Sequence, residues 1–512
     1  MTETELKFLI AKPDLAKLWT LPALREWIRD APARQSKTTY FDTVGRDLWK
    51  RGFILRVRST DGYLIQTIKQ DQSSLVDRGE WERQIQPPPK GAPFGPDLAM
   101  IEDTPLADAI DESIRAGLRP SFEIDVERTA FPWIVGDTLI EVAIDRGAIR
   151  SIDARGPTVE ISELELELKR GDREATFVLA RTLAAQAPLH LSLISKAERG
   201  QLLIARTVGL PARASEPRLS DDMTINAAFV SICNACLHDF MLNAAALDGG
   251  DPVEAVHQGR IALRRLRAAL ALFKPVRRDG FARMNDQLMW LAGIFGAARD
   301  GDILCTGGRT AEASLGADAP DFSQWREARR LAAHKAVRAA VQSKRWRIFL
   351  IDLCEWIEDD RSSPEPPHDR EGALARFVRK RLKRQRDALV RPARDLARLD
   401  SVARHKLRIK AKKLRYAAQF FPGVSSVADR EQLKCFLVCL DKLQSALGDL
   451  HDEEATRGVA EAEIRLWRSE GGHMEAASPD APERLVAPTG DHAKNLRNAI
   501  KAYARLLRTD PF

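Results

Sequence analysis

Charged residues alternate with other residues in several segments of the first part of the chain. The segment "ETELKF" places Glu3, Glu5 and Lys7 at every second position, and "ISELELELKRGD" does the same with three glutamates. In a β-strand, residues two apart lie on the same face. Each of these strands would therefore carry its charges on one face, which meets either water or a ligand that needs carboxylates and cations.

Further strand-like segments add charges of both signs, again on one face each. These are Arg56 and Arg58 in "GFILRVRS", Lys69 in "LIQTIKQ", Glu80 and Glu82 in "RGEWERQ", Glu141 and Asp145 in "LIEVAIDRG", and Glu163, Glu165 and Glu167 in "ISELELELKRGD". For a single strand, a solvated face without function explains such a mixture, and Glu80 and Glu82 fit that interpretation best.

If the strands close into a barrel, side chains of one parity share one lumen. A dry lumen with so many charges is disfavoured because burying unpaired charges is costly. A lumen that holds water, metal ions and an anionic chain is favoured, since Mg²⁺ prefers carboxylate oxygens and Arg and Lys bind phosphate oxygens. This combination is typical of phosphoryl transfer, in which a carboxylate can also position water.

Hydrophobic periodicity divides the chain into a strand-rich first part and a helical second part. Period-two segments lie at 3–10, 52–58, 63–69, 80–86, 121–128, 138–145 and 160–168. Helical patterns lie near 13–29, 105–117 and 172–187, and they dominate after the polar segment "GLPARASEPRLSDD". We therefore predict a multidomain chain of the α+β class.

The net charge of +7 is unevenly distributed. Residues 1–210 contain 29 basic and 32 acidic residues, whereas the rest contains 51 basic and 41 acidic residues. This asymmetry indicates that the second part meets a polyanion, which could be nucleic acid, an acidic membrane surface or polyphosphate.

The composition, 44% hydrophobic and 30% charged, is typical of a globular protein. We expect no membrane span, no secretory signal and no disulfide framework, and therefore a cytoplasmic location. Two cysteine pairs with helical spacing, Cys233/Cys236 and Cys435/Cys439, are interpreted as buried structural thiols, with a zinc site as the alternative.

The helical part contains an internal repeat. "HQGRIALRRLRAALALF" and "HKLRIKAKKLRYAAQFF" share one histidine and three basic residues at i, i+3, i+7 and i+10. The eight residues are His257, Arg260, Arg264, Arg267, His405, Arg408, Lys412 and Arg415. At helical spacing, each set of four forms a stripe apart from the apolar face.

A second shared motif follows each stripe, "FGAARDGDI" at 295–303 and "LGDLHDEEA" at 447–455, and it could add Arg299 and His451 to the basic surface. One basic stripe could be a solvated helix face, but its repetition favours a polyanion-binding surface. Nucleic acid is the disfavoured polyanion because only Tyr416 lies close enough for base stacking.

The first part resembles the CYTH domain, the triphosphate tunnel metalloenzyme family. The resemblance rests, in order, on Glu3-x-Glu5-x-Lys7, Tyr40-Phe41-Asp42-Thr43, Arg56-x-Arg58, Lys69, Arg128, Glu141 to Asp145, Glu163-x-Glu165-x-Glu167 and "SKAERG". It implies an eight-stranded antiparallel β-barrel over residues 1–205. After a linker at 206–221, residues 222–510 resemble the polyphosphate-binding CHAD domain, here a pair of helical bundles whose first helices lie near 253–273 and 401–421.

The resemblance also implies roles for single residues. Glu3, Glu5, Glu165 and Glu167 would bind Mg²⁺ or Mn²⁺, and the phosphate oxygens would be held by Lys7, Arg56, Arg58, Lys69, Arg128 and Lys196. Glu141, Asp145 and Lys69 are the candidate catalytic residues, the two acids being either metal ligands or groups that orient water or the cations. The eight stripe residues would bind polyphosphate.

Two further questions concern the faces of the strand around Arg128 and the role of Arg199. If Arg128 enters the tunnel, Glu123, Asp125 and Glu127 must lie outside it. Arg199 either faces phosphate or supports a helix end.

Tunnel enzymes joined to CHAD resemble inorganic triphosphatases, which release phosphate and pyrophosphate. Two alternatives stay open. One is an enzyme for an organic triphosphate, either a hydrolase of thiamine triphosphate or a nucleotide, or a cyclase. The other is a non-catalytic polyphosphate-binding protein.

Overall fold

The chain forms two compact units in a computed structural model. The model describes residues 4–60, 62–70, 79–87, 94–153, 156–307, 319–359, 372–391, 396–424, 427, 429–470 and 492–509. Unit 1 comprises Met1–Pro211, Met241–Pro252 and Val341–Glu358, and unit 2 comprises Ala212–Phe240, Val253–Ala340 and Asp359–Phe512.

Unit 1 is built on a single nine-stranded antiparallel sheet. Its strands are β1 (Thr4–Leu9), β2 (Ala33–Asp42), β3 (Phe53–Thr60), β4 (Tyr63–Gln70), β5 (Gly79–Ile85), β6 (Arg119–Val135), β7 (Thr138–Ser151), β8 (Thr158–Arg170) and β9 (His190–Leu191). Their order across the sheet is β5-β4-β3-β2-β6-β7-β8-β1-β9.

The predicted antiparallel strand architecture is confirmed, and two features differ from a closed eight-stranded barrel. A ninth strand of two residues extends the edge at β1, and within the described ranges no ladder joins β5 to β9. Residues from all of β1 to β8 nevertheless line one cavity, so the sheet wraps around a shared interior.

Strand β2 has no period-two pattern and was not predicted. Its last residues, including Tyr40, Phe41 and Asp42, are all buried, because both faces of the strand are covered. Tyr40 faces the lumen, whereas Phe41 belongs to an apolar cluster on the outer face. The Asp42 carboxylate accepts hydrogen bonds from the backbone N–H groups of Leu48 and Trp49.

Helices pack against both faces of the sheet. They are two 3₁₀-helices (Lys12–Thr20 and Ala99–Ile101) and α1 (Arg25–Ile28), α2 (Asp47–Lys50), α3 (Leu106–Ala109), α4 (Glu112–Ala116), α5 (Arg173–Gln186) and α6 (Lys196–Ile204). The helical segments between 47 and 116 pack on the outer face of β3 and β4. Helix α6 instead packs through Ala197 and Leu203 against apolar residues of β6 and β7.

The second part is helical, as predicted. Its helices are α7 (Ile225–Ala245), which continues as a short 3₁₀ turn (Ala246–Asp248), α8 (Pro252–Phe273), α9 (Phe281–Gly307), α10 (Ala319–Gln342), α11 (Lys344–Glu358), α12 (Ala373–Val390), α13 (Ser401–Ala418), α14 (Arg430–Ser469) and α15 (His492–Leu507). The two helices predicted to begin the repeats correspond to α8 and α13. Asp400 caps α13 by accepting a hydrogen bond from the Ala403 N–H.

Two expectations about the helical part can be compared with the structure, and the one about buried cysteines is wrong for Cys435. The segment Ile225–Asp248 is long and apolar enough to cross a membrane. However, 61% of its apolar stretch is buried inside the protein, as in a core helix. Cys435 is exposed, whereas Cys233, Cys236 and Cys439 are buried. The described residues contain no cluster of three or more His, Cys, Asp or Glu side chains that could hold a metal ion.

Candidate active site

A cavity of about 790 Å³ lies on the inner face of the sheet. Within the described part of unit 1, seven carboxylates and eight cations line it. They are Glu5, Glu80, Glu82, Glu141, Asp145, Glu165 and Glu167, and Lys7, Arg34, Arg56, Arg58, Lys69, Arg128, Lys169 and Lys196. The cavity thus contains every tunnel residue predicted from the sequence except Glu3, which lies outside the described residues.

Strand register places three of the carboxylates side by side. Glu5 of β1 lies opposite Glu167 of β8, which in turn lies opposite Glu141 of β7. These three residues are named the acid row. Glu5 accepts a hydrogen bond from the Lys7 ammonium at 2.7 Å, and Lys169 Nζ lies 2.5 Å from Glu167 Oε1.

A second group of carboxylates is paired with cations deeper in the sheet. Arg128 donates two hydrogen bonds of 2.7 Å to Asp145 and one of 2.5 Å to Glu165. Lys196 Nζ lies within 2.7 Å of Asp145, Glu163 and Glu165. Because Asp145 is fully buried, only such pairing makes its charge tolerable there.

The "SKAERG" segment explains how Lys196 reaches this group. The Ser195 hydroxyl accepts a hydrogen bond from the Glu198 N–H and so caps α6. Lys196 is the first helical residue, and Arg199 donates a hydrogen bond to Glu163. A Cβ at Gly200 would lie 2.1 Å from the Phe122 ring, so only glycine lets α6 approach β6 this closely.

The pKa values of this buried group follow its charge pairing. Burial would raise the pKa of Asp145 and Glu165, but the charges of Lys196 and Arg128 lower both below their ordinary values. Burial would conversely lower the pKa of Lys196 and Arg128, and the carboxylates raise both. All four side chains therefore remain charged at neutral pH, and Asp145 is a poor proton acceptor.

The opposite wall of the cavity is also paired, but more loosely. Lys69 Nζ lies 2.8 Å from Glu80, and Arg56 lies 3.6 Å from the same carboxylate. Glu80 therefore faces the lumen, which the solvated-face interpretation did not anticipate. Burial, then the charge of Arg56, lowers the pKa of Arg58.

The parity argument about β6 holds in the structure. Arg128 lines the cavity, whereas Glu123, Asp125 and Glu127 pair with cations on the other face. Arg199 does not line the cavity and instead supports Glu163 beneath it.

Sequence reasoning missed two cations, Arg34 and Lys169, that line the cavity. Lys169 could have been found, because it continues the parity of Glu163, Glu165 and Glu167. Arg34 could not, because β2 has no period-two pattern.

The acid row supplies the oxygen donors that a hard divalent cation prefers, on three adjacent strands that face one lumen. Its carboxylates are not gathered into a metal-binding cluster in this arrangement of the described residues. Lys7 now holds Glu5, and Lys169 holds Glu167 and, at 3.7 Å, Glu141. Glu165 is engaged by Arg128 and Lys196 instead. An ion in the acid row would therefore compete with lysines for its oxygen ligands.

In unit 2, the eight stripe residues are all partly exposed on α8 and α13. Burial, followed by the charges of Arg408, Arg264, Arg260 and Arg415, lowers the pKa of Lys412 to about 8. Since Arg260 and Arg264 belong to α8, the two stripes lie close enough to repel each other. They form a single basic surface.

The second repeated motif supports this surface in both halves. A Cβ at Gly296 would lie 2.5 Å from the Arg260 guanidinium, and one at Gly448 would lie 3.7 Å from that of Arg408. Burial, and then the charge of Arg299, lowers the pKa of His257, which favours a neutral imidazole. His451 is at a position whose side chain lies outside the described residues.

The match to known families follows the same division. The CYTH domain model matches residues 1–201, and the CHAD domain model matches residues 231–461. The chain therefore belongs to the proteins that join a CYTH domain to a CHAD domain.

Relatives of both domains are known. An inorganic triphosphatase of Haemophilus influenzae is 33% identical over 177 residues, which cover 32% of this chain and 45% of that relative. The match thus spans less than half of the relative's length.

Two solved structures are also similar. The CHAD domain from Ricinus communis is 24% identical, covering 59% of this chain and 98% of that one, with a TM-score of 0.46. PptA from Streptomyces chartreusis is 18% identical, covering 56% and 98%, with a TM-score of 0.39.

Proposed function

We propose that the CYTH domain hydrolyses inorganic triphosphate to pyrophosphate and phosphate, and that the CHAD domain binds polyphosphate. The observation that carries the first part is the cavity, in which eight cations and seven carboxylates share one face of a sheet. The inorganic triphosphatase relative supports the same reaction. The proposed boundaries remain 1–205 and 222–510, joined by a linker at 206–221.

In this proposal, the cations hold the anion and the carboxylates hold both the cations and the metal. Arg56 and Arg58 on β3 and Lys69 on β4 line the same cavity as Lys7 on β1 and Arg128 on β6, so a linear phosphate chain in it would meet donors from several strands. Asp145 and Glu163 orient Lys196 and Arg128 rather than abstract a proton, because both acids are committed to ion pairs. Lys69, held by Glu80, takes the role of charge stabilisation at the reacting phosphorus.

The acid row, with Glu3 and Glu165 as further candidate ligands, would hold Mg²⁺ or Mn²⁺. A bound divalent cation supplies charge that neutralises phosphate oxygens and lowers the barrier to nucleophilic attack. The oxygen of one water forms a bond to the terminal phosphorus while the bond to the bridging oxygen breaks. Pyrophosphate leaves, and the protons of the water end on the products and the solvent.

The lining of the cavity favours an inorganic substrate over an organic one. Among the described residues that line it, Tyr40 is the single aromatic residue. Tyr40 is 6% exposed and its ring stacks on Phe122 with centroids 4.5 Å apart, so little of the ring is available to a base or a thiamine ring. Nucleotide and thiamine substrates would therefore gain little from their organic parts.

Phosphate release from tripolyphosphate, thiamine triphosphate and ATP, each with and without Mg²⁺ or Mn²⁺, tests this assignment. We expect rapid metal-dependent release from tripolyphosphate and slow release from the other two. Faster turnover of thiamine triphosphate or ATP would favour the organic alternatives. No release from any of them would leave the non-catalytic alternative, a phosphate receptor.

For the CHAD domain, polyphosphate is the proposed ligand because the stripe charges repel one another. Arg415 of the stripes forms an ion pair with Asp441 at 3.3 Å, and this aspartate is mostly exposed. Competition between long-chain polyphosphate and single-stranded DNA of matched charge tests this choice. Preferential displacement by polyphosphate supports it, whereas equal displacement would indicate a general polyanion surface.

A further inference from the structure

Lys169 stands beside the acid row and holds two of its three members. Its ammonium lies 2.5 Å from Glu167 and 3.7 Å from Glu141. These carboxylates belong to residues paired directly across β7 and β8, where two like charges would otherwise repel each other. Lys169 therefore offsets part of the repulsion between the two acids in the metal-free lumen.

The backbone places this lysine at an irregularity of the sheet. Leu139 pairs with Arg170 and Ile140 pairs with Leu168, so Lys169 is an extra residue of β8 at a β-bulge. Bulges redirect the side chain of the extra residue relative to regular pairing. The bulge at Lys169 thus lies where its side chain is directed along the acid row.

Lys169 is also the most exposed of the lysines that line the cavity. Its side chain is 39% exposed, compared with 20% for Lys69, 19% for Lys7 and 13% for Lys196. Lys196 is enclosed by three carboxylates and could move only by leaving them buried and unpaired. Lys169 can turn into solvent at little cost.

We propose that Lys169 is an internal counter-cation that a divalent metal ion must displace from Glu167 and Glu141, so that it sets the metal affinity of the tunnel. This inference rests on the proposed function, because it takes the acid row as the metal site. Lys169 acts here as a positioning residue, since it acts through the two carboxylates. Lys169 balances part of the negative charge of the acid row until the metal ion takes its place.

Calorimetric titration of the full-length protein with Mn²⁺, in the absence of any phosphate compound, tests the proposal. We expect Lys169→Gln to bind Mn²⁺ at least about fivefold more tightly, since even in water two unit charges about 4 Å apart interact strongly enough for that factor. Lys169→Arg, which keeps the charge, should retain the wild-type affinity or bind more weakly.

Lys12→Gln is the matched control, because Lys12 forms a pair with Glu160, is 74% exposed and does not line the cavity. It should leave the Mn²⁺ affinity unchanged, and thermal unfolding should show that all three variants are folded. If wild-type protein binds Mn²⁺ and Lys169→Gln binds it no more tightly, the counter-cation role is wrong while the metal site stands. If wild-type protein binds no Mn²⁺, the metal site and this inference both fail.

Discussion

The lumen of the CYTH domain and the basic surface of the CHAD domain, both proposed above to bind phosphate compounds, have opposite charge arrangements. In the lumen, carboxylates raise the pKa of Lys196 and Arg128 despite their burial. On the basic surface, burial and neighbouring arginines lower the pKa of Lys412 and Arg260. The lumen is charge-compensated within itself, whereas the surface retains repulsion that an external anion would relieve.

This difference suggests how each site selects its ligand. An anion entering the lumen must replace existing ion pairs, so only a ligand that arrives with its own cation restores the balance of charge. The basic surface has few pairs to replace, and any long polyanion reduces its repulsion. We therefore expect selectivity in the lumen and salt-sensitive binding on the surface.

The largest expected effect is on stability, when the lumen loses the most buried cation that balances its carboxylates. Lys196→Met removes one ammonium from among Asp145, Glu163 and Glu165, which are all buried. The free energy of unfolding should fall by about 3–5 kcal/mol, as when one partner of a buried ion pair is lost. Urea unfolding measures this change. Lys12→Met, at an exposed pair, should cost at most about 1 kcal/mol, and an equal loss in both variants would contradict the comparison.

The same variant should change how stability depends on pH. In the wild type, the lowered pKa values of Asp145 and Glu165 contribute stability that is complete above their ordinary values of 3.8 and 4.5 and is lost as the pH falls further. Without Lys196 these pKa values rise, so this contribution shrinks. The stability deficit of Lys196→Met should therefore be largest near neutral pH and should narrow in acid.

The next largest effect should appear in catalysis. Glu5→Gln removes one carboxylate of the acid row, and metal-dependent phosphate release from tripolyphosphate should fall about a hundredfold, a factor typical of losing one electrostatic group in an active site. Glu127→Gln is the matched control, because this glutamate lies on the outer face of the sheet and pairs with Arg146. Unchanged hydrolysis by Glu5→Gln would remove the acid row from the mechanism.

Much of the lumen could be predicted because strand parity is a local property. Glu5 and Lys7, like Arg56 and Arg58, reach the same interior because residues two apart on a strand must share a face. The sequence favoured a solvated position for Glu80, but this residue faces the lumen and pairs with its cross-strand neighbour Lys69. Such pairing between strands cannot be seen within one segment.

Features that depend on tertiary contacts were beyond the sequence pattern. Strand β2 is buried on both faces near its end, so its apolar and polar residues do not alternate. The bulge at Lys169 arises from pairing between β7 and β8, which neither strand encodes alone. For the helices, the stripes were visible from periodicity, but only the fold places them close enough to lower the pKa of Lys412.

A smaller effect, on polyphosphate affinity, is expected when the basic surface of the CHAD domain loses a charge. Arg260→Gln and Arg408→Gln remove equivalent cations from α8 and α13, and each should weaken binding of long-chain polyphosphate several-fold. The slope of log affinity against log salt should decrease by about 1 for each, as for a lost phosphate contact. Lys335→Gln, an exposed lysine on α10, is the control and should change neither value. A loss confined to one repeat would show that the stripes do not act as one surface.

The smallest expected effect concerns Lys412, whose pKa of about 8 means that it loses its proton within the accessible pH range. Arg408 and Arg415 on α13 and Arg260 and Arg264 on α8 disfavour its charged form, whereas a bound polyanion favours it. Binding above pH 8 therefore requires uptake of a proton, and the affinity for polyphosphate should fall a few-fold as the pH rises from 7.5 to 9. Lys412→Arg keeps its charge throughout this range, so its affinity should stay nearly constant with pH. Fluorescence anisotropy with labelled polyphosphate measures both curves, and parallel curves would assign the pH dependence to another group on the surface.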